Sequence, residues 1–129
     1  MRRVTFVFPT AWDLRQLAAC ESRWRDRFVV EFTSPSDEDC PATFDVLDFV
    51  DAMTHDTTRQ IDGVTSSSDY PGAVVTAAIA RARGLAGASP EAVLRCANKY
   101  MARVALARSV PEAVPAFALV TSGPEDARA

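Results

Sequence analysis

Apolar and polar positions fall into blocks that define most of the elements of the first half of the chain. Val4 to Phe8 is a continuous β-branched and aromatic run that stops at Pro9, the pattern of a buried first strand. Thr10, with Asp13 three residues on, then opens a helix as a capping box. In that helix Leu14, Leu17, Cys20 and Trp24 share one face, while Glu21 and Arg25 stand four apart on the outside. Phe28 to Phe32 is a second strand-like run. Strand, helix, strand at this spacing predicts a βαβ unit with a right-handed crossover and a parallel pair. Thr33 to Ala42, rich in Ser, Pro, Asp and Glu, is a loop. Thr43 opens a short helix that turns Val46, Leu47, Val50 and Met53 inward and Asp45, Asp48 and Asp51 to solvent. Ile61 to Ser66 reads as a third strand, weakened by Gly63.

The second half is patterned for helices. Asp69 is placed to cap one that runs to Ala82, with Pro71 tolerated in its first turn. Val74, Val75, Ala77, Ala78, Ile79 and Ala80 make it apolar nearly all round, so cover on more than one side is expected. Gly84 suits the position that ends it, and Leu85-Ala86 is at most a stub of a fourth strand. Ser89-Pro90-Glu91 is a strong helix start: a cap, a proline where its missing N–H is harmless, and a carboxylate at the positive end. One long helix is predicted from there to about Arg108, stopping near Val110-Pro111. On it Arg95, Lys99 and Arg103 recur every fourth residue, and Val93, Ala97, Met101 and Val104 make a separate apolar stripe. Ala116 to Val120 reads as a short strand and Thr121 to Ala129 as a loose polar tail.

Composition narrows the function classes. The 129 residues suffice to bury about two-thirds of the surface the unfolded chain exposes. A net charge of −3 without any Lys/Arg block leaves no broad footprint for nucleic acid. The three cysteines, Cys20, Cys40 and Cys96, form no C-x-x-C pair, so neither zinc nor a dithiol centre is indicated, and reduced thiols in a cytoplasmic protein are expected. Pro9 ends the first apolar run far too early for a signal peptide, and no apolar run approaches the ~20 residues of a membrane span.

In open parallel sheets, ligands bind beyond the carboxyl ends of the strands. The loops there supply the candidates Thr10, Ser67, Ser68 and Asp69, hydroxyls and a carboxylate; for Ser68 and Asp69 helix capping is at least as good an account as substrate contact. No G-x-G-x-x-G follows the first strand, and neither a P-loop nor a G-x-S-x-G elbow is present. A phosphoacceptor receiver domain needs an aspartate after the third strand and acids after the first, where this chain has Ser66-Ser67 and Pro9-Thr10. His55, the single histidine, has no nucleophile or ligand partner at useful spacing, and Asp37-Glu38-Asp39 fixes no coordination geometry; neither is given a role. Lys99 is the stronger candidate, because only Arg95 of its stripe has a local acid, Glu91. A solvated basic face accounts for the charge spacing alone.

An ordered series of short motifs adds to this. It comprises Asp62-Gly63-Val64, Ser68-Asp69-Tyr70-Pro71-Gly72, Ala80, Gly84-Leu85, Gly87-Ala88-Ser89-Pro90-Glu91, Asn98-Lys99-Tyr100, Arg103 and Val110 to Phe117. The series resembles the N-terminal part of ATP-grasp enzymes of the carboxylate–amine ligase or biotin-carboxylase-like kind. The resemblance covers roughly Arg3 to Val120 and is clear from Asp62 onward. It implies an α/β fold: a small Rossmann-like pre-ATP-grasp domain with a parallel sheet flanked by helices over residues 1–88. A linker helix and the first strand of an incomplete ATP-grasp domain would follow over residues 89–120, and then the tail at 121–129. It also implies that Lys99 contacts a nucleotide phosphate. In the complete family enzyme ATP and Mg2+ convert a carboxylate into an acylphosphate that an amine attacks. The second phosphate lysine, the glycine-rich loop and the magnesium ligands of that family would follow beyond the matched region. The chain is therefore expected to act as a fragment or remnant, inactive alone and binding nucleotide only weakly. Its partner would be an ATP-grasp catalytic domain in cis or in trans, or a second copy of itself. The alternative expectation is a non-enzymatic α/β module that binds a partner through the apolar Ala73–Ala82 helix and an edge strand at Ala116–Val120.

Overall fold

A computed structural model describes residues 1–34 and 44–119. The chain divides into two compact units, Met1–Val93 and Leu94–Ala129. The first is α/β. Its sheet has β1 (Arg2–Val7) at the centre, β2 (Phe28–Thr33) on one side and β3 (Gly63–Thr65) on the other, all parallel, in the order β2-β1-β3. Val4 stands opposite both Val30 and Gly63, which fixes the register of the three strands. Three helices connect and follow the strands: α1 (Ala11–Ala19), α2 (Val46–His55) and α3 (Gly72–Ala82).

Strand order and handedness assign the layers. Because β2 and β3 lie on opposite sides of β1, crossovers of the usual right hand would place α1 on one face and α2 on the other, and α3 packs beside α2. Strand alternation agrees. Thr5 and Val7 share the α2–α3 side and are 1% and 0% exposed, and Val7 joins the core. That core comprises Val7, Phe8, Met53, Ile61, Val75 and Ile79. Phe8 meets Phe44 and Phe49 at ring-centroid distances of 5.3 Å each, and those two rings lie 5.5 Å apart, so three aromatics lock the end of β1 to the start of α2. Phe6 and Phe32, neighbours in register, pack at 6.1 Å on the α1 side.

The buried stripe of α2 is Val46, Phe49, Val50 and Met53, and Leu47, expected inside, is 78% exposed. The helix is capped by Asp45, whose carboxylate accepts the Leu47 and Asp48 amides at 2.8 and 3.1 Å. Spacing of three and four from Val46 then selects Phe49 and leaves Leu47 a third of a turn away. Thr43, expected to open this helix, lies outside the described residues, as do Cys40 and the acids Asp37 to Asp39. The first helix also differs from expectation. It ends at Ala19, a 3-10 turn follows at Glu21–Arg23, and Trp24 lies past both, donating its indole N–H to the Leu17 carbonyl at 3.1 Å. Trp24 thus satisfies one of the helix's terminal carbonyls instead of extending its apolar face.

The third strand is shorter than Ile61 to Ser66. The Asp62 amide donates to the Arg3 carbonyl at 2.8 Å, and the Asp62 carboxylate takes the Arg3 amide at 2.7 Å. A side chain thereby occupies a ladder position, and strand pairing starts at Gly63.

The apolar α3 finds its second layer of cover within the same unit. Besides α2 and β3, the passage after its end returns along it: Leu85 packs on the core, and a Cβ on Gly87 would stand 3.2 Å from that of Ala80. The reversal is made at Gly84, with φ of +66°. Its amide donates to the Arg81 carbonyl at 3.2 Å and that of Leu85 to the Ala80 carbonyl at 2.8 Å, the two bonds of a Schellman stop. No fourth strand forms at Leu85-Ala86.

Beyond it the long predicted helix is two. α4 (Pro90–Ala97) starts as expected, with the Ser89 hydroxyl accepting the Ala92 amide at 3.1 Å. Asn98 then leaves helical geometry, with φ of −91° and ψ of 110°, and caps α5 (Lys99–Ser109) by accepting the Met101 amide at 3.0 Å. In the second unit a 3-10 turn at Pro111–Ala113 follows α5, and the Phe117 ring packs edge-on to Tyr100 at 5.7 Å. The strand expected at Ala116–Val120 is absent over residues 116–119, and Val120 lies outside the described residues. Pro115, just before it, lacks a ladder donor. No described residue of this unit is buried.

Candidate functional site

The sheet order makes β1 and β3 adjacent strands whose following helices leave toward opposite faces. In open α/β sheets the carboxyl ends of the strands at such a point are where ligands bind. Three side chains meet there. Asp13, 5% exposed in the first turn of α1, accepts the Thr10 amide at 2.8 Å, the Thr10 hydroxyl at 2.6 Å and the Ser67 hydroxyl at 2.8 Å, all on Oδ2. The Thr10 hydroxyl in turn accepts the Asp13 amide at 3.2 Å. One carboxylate thus ties the loop after β1 to the loop after β3. The Thr10 hydroxyl and amide, more than the Ser67 hydroxyl, hold the Asp13 carboxyl below the ordinary aspartate range, against the opposing effect of its burial.

Of the sequence candidates, Thr10 and Ser67 are therefore brought together, through an aspartate read from sequence only as half of a capping box. Ser68 turns back on its own loop, donating its hydroxyl to the Tyr70 carbonyl at 3.0 Å and its amide to the Ser66 hydroxyl at 3.1 Å. Asp69 does not cap α3. Pro71 holds that position with no side-chain cap, and Asp69 is exposed. The loop instead closes directly over the helix start. A Cβ on Gly72 would come within 2.7 Å of Ser68 Cβ and 2.9 Å of Ser66 Cβ, so glycine is required by proximity. Phe8, buried just past the end of β1, has φ of +56°, a rare conformation for a bulky residue, held by the hydrogen bond its amide donates to the Thr33 carbonyl at 2.9 Å and by its aromatic neighbours.

Lys99 belongs to the second unit and is not mid-helix. It is the first residue of α5, exposed, beside the capping Asn98. The break at Asn98 puts Arg95 on a different helix, so the expected basic stripe does not run through. Glu91 pairs with Arg81, not with Arg95. A cation at a helix start works against the helix dipole, and the cap takes the Met101 amide while those of Lys99 and Tyr100 meet no acceptor among the described residues. Ammonium and open amides at one helix end are suited to phosphate or carboxylate oxygens. The described residues contain no group of three or more His, Cys, Asp or Glu close enough to hold a metal ion. They also contain no helix long and apolar enough to cross a membrane. Comparison of the chain with family models, curated proteins and solved structures finds no match.

Proposed function

We propose that this chain is the N-terminal portion of an ATP-grasp ligase of the carboxylate–amine type, with a Rossmann-like first unit and Lys99 as a nucleotide-phosphate contact. The observation that carries the reading is the amino end of α5, where Lys99 is the first residue and its amide and that of Tyr100 meet no acceptor among the described residues. The ordered motifs from Asp62 to Phe117 and the parallel β2-β1-β3 sheet support it. Bound ATP supplies the phosphoryl group that activates a carboxylate for attack by an amine. The part played by this chain is to hold phosphate oxygens against a fixed positive helix end. Mg2+ ligands and the remaining nucleotide contacts come from an ATP-grasp catalytic domain, joined in cis or supplied in trans. The side chains of Tyr100, Met101, Leu106 and Leu119, between 39% and 56% exposed, give that partner apolar area to cover.

Titration of Mg-ATP into the 15N-labelled chain tests this. Binding should be weaker than micromolar, should move the Lys99 and Tyr100 amides first, and should tighten when an ATP-grasp catalytic domain is added. Lys99→Ala should weaken it about tenfold, the loss of one charge-assisted phosphate contact. Equal affinity of Lys99→Ala and wild type would return Lys99 to an ordinary surface cation. The non-enzymatic alternative has less to stand on, because α3 is covered within its own unit and residues 116–119 form no strand.

A further inference from the structure

We infer that a cleft at the amino end of the sheet, in the first unit and separate from Lys99, binds a small oxyanion. It encloses about 420 Å3 and is lined by Arg3, Glu31, Asp56, Thr58, Arg59 and Gln60. Charges in the lining balance, two guanidiniums against two carboxylates, but among the described residues a larger share of the guanidinium N–H groups than of the carboxylate oxygens has no partner. Both oxygens of Glu31 are engaged, Oε1 by Arg3 Nη1 at 2.8 Å and Oε2 by Arg59 Nε at 3.2 Å. Asp56 Oδ1 takes the Thr58 amide at 3.0 Å and its hydroxyl at 2.5 Å. Asp62, next to the cleft, is engaged by the Arg3 amide and by the Gln60 side chain.

The guanidiniums are barely used by comparison. Each offers five N–H groups. Arg3 spends one on Glu31, and Arg59 spends one there and a second on Met53 Sδ at 3.5 Å. Among the described residues nothing engages the Nε–Nη2 edge of Arg3, the edge that makes the two-pronged contact a carboxylate or phosphate accepts. Glu31 holds the two guanidiniums beside one another, and the loop that carries Arg59 is fixed. Arg83 donates to the Asp56 and Arg59 carbonyls at 2.5 and 3.0 Å, so the donors need little ordering on binding. The ligand class is a free oxyanion with two or more terminal oxygens, an inorganic phosphate or a small carboxylate.

The test is an NMR titration of the full chain with sodium phosphate and, separately, with sodium acetate at constant ionic strength, following the Nε–H signals of Arg3 and Arg59. Saturable shifts are expected, and the salt that saturates at lower concentration identifies the oxyanion. Glu31→Gln removes the competing charge and should tighten binding about tenfold, whereas Arg3→Gln, altering a side chain 46% exposed, should abolish it. A purely structural ion pair would give neither result. Linear, non-saturating shifts in wild type and Glu31→Gln alike would overturn the inference, as would shifts that survive Arg3→Gln. Lys99→Ala should leave the cleft's affinity unchanged, so this site and the proposed nucleotide contact stand or fall separately.

Discussion

Asp13 and Arg83 hold the first unit together at opposite ends of its sheet, one with an acceptor and the other with donors. Asp13 collects three donors on one oxygen, and its folded-state pKa lies below the ordinary aspartate value. A depressed carboxylate pKa stabilises the fold above the unfolded value, and that contribution is lost as pH falls through the folded one. Urea unfolding of Asp13→Asn should therefore show a deficit against wild type above about pH 5 that shrinks as pH falls through the lowered folded-state pKa and the Asp13 carboxyl loses its charge. A constant deficit at all pH values would mean that packing, not charge, is what Asp13 contributes. Arg83 places its guanidinium on three carbonyls: Met53 at 2.8 Å, Arg59 at 3.0 Å and Asp56 at 2.5 Å. Removing it strands the last turn of α2 and the loop that follows, so Arg83→Ala should cost about 2–3 kcal/mol by chemical denaturation. Lysine at this position should recover only part of that, because one ammonium cannot reproduce the planar fork. The Thr10–Asp13 capping box was legible in the sequence because its spacing is local. Its bond to Ser67, and the reach of Arg83 from the end of α3 to the end of α2, span 54 and 30 residues and leave no periodic trace.

At the level of elements, the terminal signals read from sequence held where one residue fixes one end. Ser89-Pro90 starts α4 and Gly84 stops α3. Misreadings came where two neighbouring residues compete. Asp69 lost the end of α3 to Pro71, and a continuous helix through Asn98 lost to a cap. Asparagine is a poor helix-interior residue but a strong N-cap, and here its side chain secures the Met101 amide. Asn98→Ala should lower the stability of α5 by about 1 kcal/mol, visible as faster amide exchange through Lys99–Ser109. An unchanged exchange pattern would show that the break is set by something other than the cap. The strand at Ala116–Val120 failed for a different reason. An apolar, β-prone run becomes a strand only when a partner edge is available, and composition says nothing about that.

For the whole molecule, the division into two units separates what is packed from what is not. Every buried residue among those described lies between Thr5 and Ala80, whereas the described part of the second unit has none. A chain ending after Ala97 should thus unfold cooperatively with nearly the midpoint of the full protein, as measured by circular dichroism. Loss of the transition would show that residues 98–129 complete the core. The sequence pattern identified the α/β class, the parallel pair and the apolar α3. It did not reveal that the chain's own Leu85 and Gly87 cover that helix, since the Schellman reversal at Gly84 directs them there. The sheet order carries one more consequence, for the sequence of events during synthesis. The central strand leaves the ribosome first, its β2 partner 26 residues later and its β3 partner 59 residues later, counting from Arg2↔Phe28 and Val4↔Gly63. At about 5–20 residues per second, one edge of β1 waits some seconds longer than the other for its neighbour. During that interval the edge of β1 that will seat β3 has no native partner to cover it, which is when a chaperone or a misplaced strand has its best access.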